Sequence, residues 1–332
     1  MSKLSRNRLL PVVAAVVLLG CSAVGQAEPQ TIPEDFFTPA ITGVTAGGTP
    51  IKFIKDGFEG TEGPIAAADG SGSVLFTETK ANRITRIAPD NTVSTFLENS
   101  NGANGLAFSD NGDLIAVQTV KTQVGIIYPP GKEKTLSQDF EGTAYQRPND
   151  LVRTKHGGIY FTDSGTRPSK ELPTPPTSTP GVYYISPEGA VKRIVNDLKR
   201  PNGIQLSSDE RVLYVANTDG EYILAYDIVA DGSVGTKRNY AKLAGWSKGE
   251  SGEFSSGADG LAVDANNRLY VASNAGVEVF SDKGDALGVI QLPKKPQNLA
   301  FAGQDKKTLY IVGRGAAYKI PLLTSGVNGR WK

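Results

Sequence analysis

A short sequence pattern recurs six times between residues 60 and 313, and this repeat constrains the fold more than any other feature. Each copy starts at a polar residue, passes through a turn rich in Asp, Asn and Gly, and continues into an apolar strand that often contains an aromatic residue. The copies start 42, 45, 53, 57 and 38 residues apart. Further apolar strands follow in most copies, giving about four strands per repeat. Four-stranded units with a period of roughly 40–50 residues are typical of β-propeller blades.

We therefore expect an all-β protein whose residues 51–325 fold as a six-bladed β-propeller with four-stranded blades. The last copy offers only about three strands, so we expect Ile51-Lys52-Phe53-Ile54 to supply its outer strand and close the ring without an open sheet edge. Helical solenoids are disfavoured, because no stretch after residue 30 sustains an apolar period of about 3.6 residues over three turns. Two unrelated β domains are the alternative, and the persistence of the repeat argues against them.

Residues 1–27 have the pattern of an export signal. Three basic residues precede an apolar stretch, residues 9–20, that suits a secretory signal but is too short to span a bilayer. Cleavage after Ala27 fits ordinary signal peptidase, whereas Leu18-Leu19-Gly20-Cys21 resembles a bacterial lipoprotein box in which Cys21 would carry the lipid. Both processing routes remain open. We expect a protein of the periplasm or cell envelope, with residues 28–50 as an N-terminal extension and no transmembrane segment after the signal.

The composition limits the chemistry that a site can use. Cys21 is the only cysteine and His156 the only histidine, which excludes a disulfide framework, Cys-rich or His-rich zinc sites and Cys–His nucleophile pairs. His156 lies in a predicted hairpin turn, so a serine triad is not expected. Without residues 1–27 the chain has 32 basic and 34 acidic side chains and no basic run of five. This balance argues against nucleic acid partners, and the sequence leaves the oligomeric state open.

The first residue of each repeat predicts a ring of oxygen-bearing side chains at one mouth of the central channel. In a propeller the innermost strand of every blade lines the channel, so residues at one repeat phase form a ring. The predicted ring consists of Glu62, Asn104, Asn149, Asn202, Asp259 and Gln297. Turn propensity explains some of the Asn and Asp members, but not the glutamate or the glutamine.

A second polar set ends the next strand of each repeat and should return to the same mouth. Its members are Glu78, Gln118, Asp163, Asn217, Ser273 and Gly313, of which we expect Glu78, Asp163 and Asn217 to support the first ring from behind. Two polar rings with several carboxylates are costly to hold together unless a cation sits inside. Hard oxygen ligands favour Ca²⁺, with Mg²⁺ or Mn²⁺ as alternatives, and the same set could bind Zn²⁺ without selecting it.

Six motifs, in order and at consistent intervals, resemble those of the regucalcin/gluconolactonase (senescence-marker-protein) family of six-bladed propellers. The resemblance covers residues 58–321 and rests on Glu62-Gly63-Pro64, Asn104-Gly105-Leu106, Arg147-Pro148-Asn149-Asp150, Tyr160-Phe161-Thr162-Asp163, Arg200-Pro201-Asn202-Gly203 and Asp259-Gly260-Leu261. It implies that Glu62, Asn202 and Asp259 hold a divalent cation, usually calcium. Asn149 then completes the coordination or binds substrate, and Asp259 is the implied general base.

The reaction that the resemblance implies is hydrolysis of a sugar lactone. The cation would polarise the lactone carbonyl, and Asp259 or a water that it orients would supply the base. We expect Asn104, Arg147 and Asn149 to bind the substrate. Many bacterial gluconolactonases carry Glu-His-Gly where this chain has Gln118-Thr119-Val120, so the identity of the lactone is left open. The alternatives are a related esterase or phosphotriesterase that uses the same cation, and a non-enzymatic propeller that binds calcium or a partner.

Overall fold

The computed structural model describes residues 36–166, 180–249 and 252–330, together with Met1 and Lys332. The predicted export signal lies outside the described residues, so its processing remains a prediction. Residues Pro33–Lys332 form one compact unit, which contains every strand named below. No helix in the described ranges is both long and apolar enough to cross a membrane.

Six antiparallel sheets of four strands confirm the predicted propeller blades. The first strand in the chain, β1 (Lys52–Asp56), belongs to the last sheet. Blade one consists of β2 (Thr61–Ala66), β3 (Val74–Glu78), β4 (Arg83–Ile87) and β5 (Val93–Glu98). Blade two consists of β6 (Ala103–Phe108), β7 (Leu114–Gln118), β8 (Gln123–Tyr128) and β9 (Lys134–Ser137). A short hairpin follows, formed by β10 (Asp139–Phe140) and β11 (Thr143–Ala144).

The second half of the ring repeats this arrangement. Blade three consists of β12 (Pro148–Arg153), β13 (Ile159–Asp163), β14 (Gly181–Ile185) and β15 (Val191–Val195). Blade four consists of β16 (Pro201–Leu206), β17 (Val212–Asn217), β18 (Tyr222–Asp227) and β19 (Arg238–Lys242). A second hairpin comprises β20 (Ser247–Lys248) and β21 (Phe254–Ser255). Blade five consists of β22 (Leu261–Val263), β23 (Leu269–Ser273), β24 (Gly276–Phe280) and β25 (Ala286–Ile290), and blade six contains β26 (Asn298–Ala302), β27 (Thr308–Gly313) and β28 (Ala316–Pro321).

The predicted closure of the ring is confirmed in blade six. Strand β1 pairs antiparallel with β28, with Lys52 opposite Lys319 and Phe53 opposite Tyr318, and the sheet order is β1-β28-β27-β26. The two ends of the propeller region therefore share one sheet. This pairing supplies a partner for an edge that would otherwise be open to other chains.

Neighbouring blades cover both faces of the central strands, which is why those strands are apolar without interruption. Every residue of β3, β7, β13 and β23 is buried. Between blades three and four, for example, Val152 and Tyr160 pack with Ile204 and Leu213 in one cluster. The outermost strands are much more exposed, so the core consists of layers between sheets that stand face to face.

Two segments outside the blades also pack on the propeller. Ile41 and Val44 are buried in the core cluster between blades five and six, so the described part of the predicted extension, residues 36–50, is attached to the propeller. At the other end, Arg330 donates hydrogen bonds to the carbonyls of Leu206 and Ser207, where the innermost strand of blade four ends. Residues beyond the predicted boundary at 325 therefore pack against the propeller as well.

Candidate functional site

One cleft of about 810 Å³ opens where the innermost strands of the blades begin. Its volume falls within the usual range of small-molecule sites. The structure brings all six members of the predicted ring into its lining, namely Glu62, Asn104, Asn149, Asn202, Asp259 and Gln297. Arg147, predicted to bind substrate, also lines the cleft. The repeat phase in the sequence therefore corresponds to one shared position in space.

A break in strand pairing explains why the ring residues point away from their own sheets. In blades one to four the pairing of the innermost strand shifts register directly at the ring residue, as between Glu62 and Ile65. A β-bulge bends the strand and redirects its side chains, and bulges are common next to active sites. The ring side chains can therefore enter the cleft although the rest of each strand remains in its ladder.

Very close packing of neighbouring blades fixes the separation of the ring residues. A Cβ atom at Gly203 would overlap the backbone carbonyl of Asp259, so only glycine fits beside Asn202 at this approach. The Thr162 hydroxyl of blade three also donates a 2.6 Å hydrogen bond to the Asn202 carbonyl of blade four. The backbone of Asn202 is thus held by the adjacent blade.

Glu62 connects the first blade to the last, which is its neighbour in the closed ring. Its Oε1 accepts a 3.1 Å hydrogen bond from Gln297 Nε2, and its Oε2 accepts a 3.3 Å bond from Asn298 Nδ2. Burial and the nearby Asp259 carboxylate raise the pKa of Glu62 well above its usual range, and the Asn298 hydrogen bond offsets only part of this rise. A negative charge at this position therefore needs more positive charge than the amides provide.

Asp259 has the second perturbed carboxylate of the ring. Burial and the charge of Asp150 raise the pKa of Asp259 to about 7, while Lys295, Arg200 and Arg314 pull it back. A carboxylate with a pKa near neutrality can exchange protons efficiently at neutral pH. Asp259 therefore meets the electrostatic requirement for the general base that the resemblance implies.

Two buried amide oxygens in the ring have no hydrogen-bond donor. Asn202 Nδ2 donates to Thr218 Oγ1 at 3.0 Å, but its Oδ1 accepts nothing, and Asn104 Oδ1 is likewise without a partner. Buried acceptors are nearly always satisfied, so such atoms call for an explanation. A hard divalent cation takes carboxylate and amide oxygens as ligands, and a set that contains Glu62, Asp259 and free amide oxygens fits that chemistry.

The three residues predicted to support the ring lie outside the cleft lining and bind the backbone instead. Glu78 accepts from the Glu59 N–H and pairs with Arg83, Asp163 accepts from the N–H groups of Gln146 and Arg147, and Asn217 accepts from the Arg200 N–H. These side chains anchor the segments that lead into the innermost strands. Protein donors satisfy these three side chains, so they do not themselves require a cation.

A buried ion pair below the ring is a feature that the sequence reasoning missed. Lys332 Nζ contacts Asp150 Oδ1, and both side chains are almost completely buried. Asp150 directly follows the ring residue Asn149, so Lys332 brings a positive charge beneath the site. The Arg-Pro-Asn-Asp motif drew attention to Asn149, but no local pattern relates it to a lysine 182 residues away.

Four of the five cationic side chains in the cleft were also missed. Arg147 was predicted, whereas Lys80, Arg200, Lys295 and Arg314 were not. The signal was present in the sequence, because a basic residue followed by proline precedes the ring residue in three of the six repeats.

Comparisons with known proteins agree with this fold. The family model for the SMP-30/gluconolactonase/LRE-like region matches residues 60–314. A gluconolactonase of Zymomonas mobilis is 28% identical over 312 residues, covering 87% of this chain and 86% of that protein. The structure of a gluconolactonase from Xanthomonas campestris aligns with a TM-score of 0.73 and 26% identity over 88% of this chain and 99% of that one. Regucalcin of Agrobacterium tumefaciens, a calcium-binding protein, shares the fold, with a TM-score of 0.68 at 15% identity over 84% and 95% of the two chains.

Proposed function

Because this chain belongs to the SMP-30/gluconolactonase/LRE-like family, we propose that it is a gluconolactonase-like enzyme that hydrolyses a lactone with the help of a divalent cation, Ca²⁺ in the first place. One observation carries the proposal: Glu62, Asp259 and the unpaired amide oxygens of Asn104 and Asn202 converge in one cleft at the channel mouth. Relatives named gluconolactonase, similar over most of their length, support the same reaction class.

The metal ligands in this proposal are Glu62, Asn149, Asn202 and Asp259. When bound there, the cation would polarise the lactone carbonyl and stabilise the negative charge that develops on its oxygen. Two of these side chains are carboxylates with raised pKa values, so the site favours a bound ion of high positive charge. The oxygen-only donor set gives Ca²⁺ precedence over Mg²⁺, Mn²⁺ and Zn²⁺.

The residues of the cleft divide the remaining tasks. Asp259 takes a proton from the water that attacks the carbonyl carbon, and it returns this proton to the ring oxygen when the ring C–O bond breaks. The product is the open hydroxy acid, so atoms and protons balance. Asn104 and Arg147 lie in the same lining and bind the substrate outside its carbonyl group, which orients the carbonyl for attack.

Hydrolysis assays with and without metal test this proposal. We expect opening of glucono-1,5-lactone or of another lactone in a small panel, above the spontaneous rate, with Ca²⁺, and loss of that activity with EDTA. If every lactone is untouched while Ca²⁺ still binds, the protein is a calcium-binding propeller or acts on another ester, such as a phosphotriester. Activity that survives complete metal removal would refute the metal requirement.

Paired variants assign the residues. Glu62→Gln and Asp259→Asn keep the side-chain shape but remove a charge, so both should lose calcium affinity in titration calorimetry and lose activity. Asp282→Asn makes the same chemical change in an exposed turn and serves as the matched control. Unchanged calcium binding in both cleft variants would refute the assignment of the ligands.

We also propose that the protein is exported to the periplasm or cell envelope through residues 1–27. The apolar segment and the two candidate processing positions support this location. The intact mass of the mature protein distinguishes the outcomes, because cleavage before Glu28 and acylation of Cys21 give different N-termini. A mature chain that still begins at Met1 would refute export by either route.

A further inference from the structure

The lining of the cleft carries more positive than negative charge. Five cationic side chains line it, Lys80, Arg147, Arg200, Lys295 and Arg314, against three carboxylates. The excess of two positive charges is present before any cation is counted. Neutralising the ring carboxylates therefore does not explain the number of basic residues, since a bound divalent cation would increase the excess.

The repeat phase shows that three of these cations occupy equivalent positions. Two residues before the ring position, blades three, four and six have a basic residue followed by proline, as in Arg147-Pro148-Asn149, Arg200-Pro201-Asn202 and Lys295-Pro296-Gln297. Blades one, two and five have Gly60, Gly102 and Gly257 at that position. A residue before proline is restricted to extended conformations. The backbone of all three basic residues is therefore restricted to extended conformations at the edge of the cleft.

The glycine in blade five allows these cations to form a continuous arc. Gly257 has φ +60°, and a Cβ atom there would overlap Lys295 Nζ and Asn274 Oδ1. Lys295 thus reaches from blade six over blade five and donates to Asn274 Oδ1. Arg314, also in blade six, is anchored by a 2.8 Å hydrogen bond from its backbone N–H to Gln297 Oε1. We call Arg147, Arg200, Lys295 and Arg314 the basic arc, which extends over blades three to six.

Ion pairs between described residues do not explain three cations of the arc, Arg147, Lys295 and Arg314. Within the described ranges, no carboxylate lies within 4.0 Å of the side-chain nitrogens of Arg147, Lys295 or Arg314. Burial, together with the charges of Arg314 and Arg200, lowers the pKa of Lys295. Like charges that repel one another at the edge of a cleft are unfavourable unless an anion comes between them.

We propose that the basic arc binds an anionic group of the substrate, and that the enzyme prefers lactones bearing a phosphate or carboxylate outside the lactone ring. The inference rests on the proposed lactonase function and adds the substrate class. The lactone carbonyl would face the cation held by the ring of oxygens, and the arc binds the anion. Arginine side chains suit this role, because a guanidinium group binds phosphate or carboxylate through two parallel hydrogen bonds.

Matched pairs of substrates test the proposal. One pair is glucono-1,5-lactone and its 6-phosphate, and the other is glucono-1,4-lactone and glucaro-1,4-lactone, which carries a free carboxylate. We expect kcat/KM to be at least about tenfold higher for the anionic member of a pair, as for one charge-assisted hydrogen bond. The two pairs distinguish phosphate from carboxylate as the recognised anion. Added salt should reduce kcat/KM for the anionic member only.

Variants of the arc separate recognition from catalysis. Lys295→Met and Arg314→Gln should each lower kcat/KM for the preferred anionic lactone about tenfold more than for its neutral partner, mainly through KM. Any effect of the lost charge on Asp259 should change kcat/KM for both members of the pair equally. Lys283→Met removes the same charge from an exposed turn and should change neither value. The circular dichroism spectra of both arc variants should match that of the wild type.

The outcomes also separate this inference from the proposed function. If neutral and anionic lactones are hydrolysed equally well, or if the arc variants lower both rates equally, anion recognition is refuted while the lactonase proposal stands. If no lactone of either pair is hydrolysed although the protein binds Ca²⁺, the lactonase proposal itself fails. A third outcome is that gluconate inhibits the wild type, the arc variants relieve this inhibition, and neutral and anionic substrates are hydrolysed equally well. The arc would then bind the carboxylate of the product, and the inference would also be refuted.

Discussion

Replacing Asp259 with asparagine should stabilise the metal-free protein while abolishing its activity. Asparagine has nearly the shape of aspartate but carries no charge. Burial and Asp150 raise the pKa of Asp259 from 3.8 to about 7, so the folded protein resists ionisation of this group. At about 1.4 kcal/mol per pKa unit, the ionised form costs the folded state about 4 kcal/mol above neutral pH. Because the side chain is only half-buried, we discount this value to about 2 kcal/mol.

The pH dependence fixes the sign of the effect. A carboxyl group whose pKa is raised on folding favours the folded state only while it is protonated, and this contribution is lost as the pH rises through about 7. In EDTA, Asp259→Asn should therefore raise the free energy of unfolding by about 2 kcal/mol at about pH 8. The gain should shrink steadily as the pH falls and vanish near the ordinary pKa of aspartate.

Calcium should reverse the order of stability. A ligand that binds only the folded state stabilises it, so saturating Ca²⁺ should protect the wild type more than the variant. Urea unfolding followed by tryptophan fluorescence, at two pH values and with Ca²⁺ or EDTA, measures all four combinations. The reasoning is refuted if the variant is no more stable than the wild type in EDTA at the higher pH, or if its advantage does not depend on pH.

Three further predictions concern the surroundings of the site. Lys332→Met should destabilise the protein by about 3–5 kcal/mol because Asp150 is left buried and unpaired, and adding Asp150→Asn should restore much of this loss in urea unfolding. An unchanged unfolding midpoint in the single variant would show that the ion pair does not form in solution. Gly203→Ala should lower the free energy of unfolding by about 1–3 kcal/mol and weaken calcium binding, since the new Cβ would displace the Asp259 carbonyl. A calcium affinity equal to that of the wild type in titration calorimetry would contradict this. His156→Gln should leave the pH–rate profile unchanged, because this side chain is exposed in a turn outside the cleft, and a shifted profile would implicate the histidine after all.

The fold was predictable because each blade repeats the same physical requirement. A central strand covered on both faces must be apolar, and a turn must follow it, so the pattern in the sequence survives divergence in individual residues. The predicted ends of the second strands, from Glu78 to Gly313, coincide with the ends of β3, β7, β13, β17, β23 and β27. The closing strand was also predictable, since a six-bladed ring that lacks one outer strand has to obtain it from the other end of the chain.

The site was predictable only where it follows the repeat. Glu62, Asn149, Asn202 and Asp259 share one phase and therefore one place, and the structure brings them to the same cleft. The pair of Asp150 and Lys332 could not be found in this way, because it depends on where a segment outside the repeats runs. The hydrogen bonds of Glu78, Asp163 and Asn217 to the backbone could not be predicted either. A sequence pattern does not show whether a carboxylate or amide faces a cation or a backbone N–H.

The sheet shared by β1 and β28 has a consequence for when the site comes into existence. Glu62 belongs to the first blade, yet its hydrogen-bond partners Gln297 and Asn298 come from the last. A chain still emerging from a ribosome has the first carboxylate of the ring but not the residues that hold it in place. Binding in the cleft therefore requires the complete propeller. A fragment that lacks blade six should bind neither calcium nor substrate, however well its other blades fold.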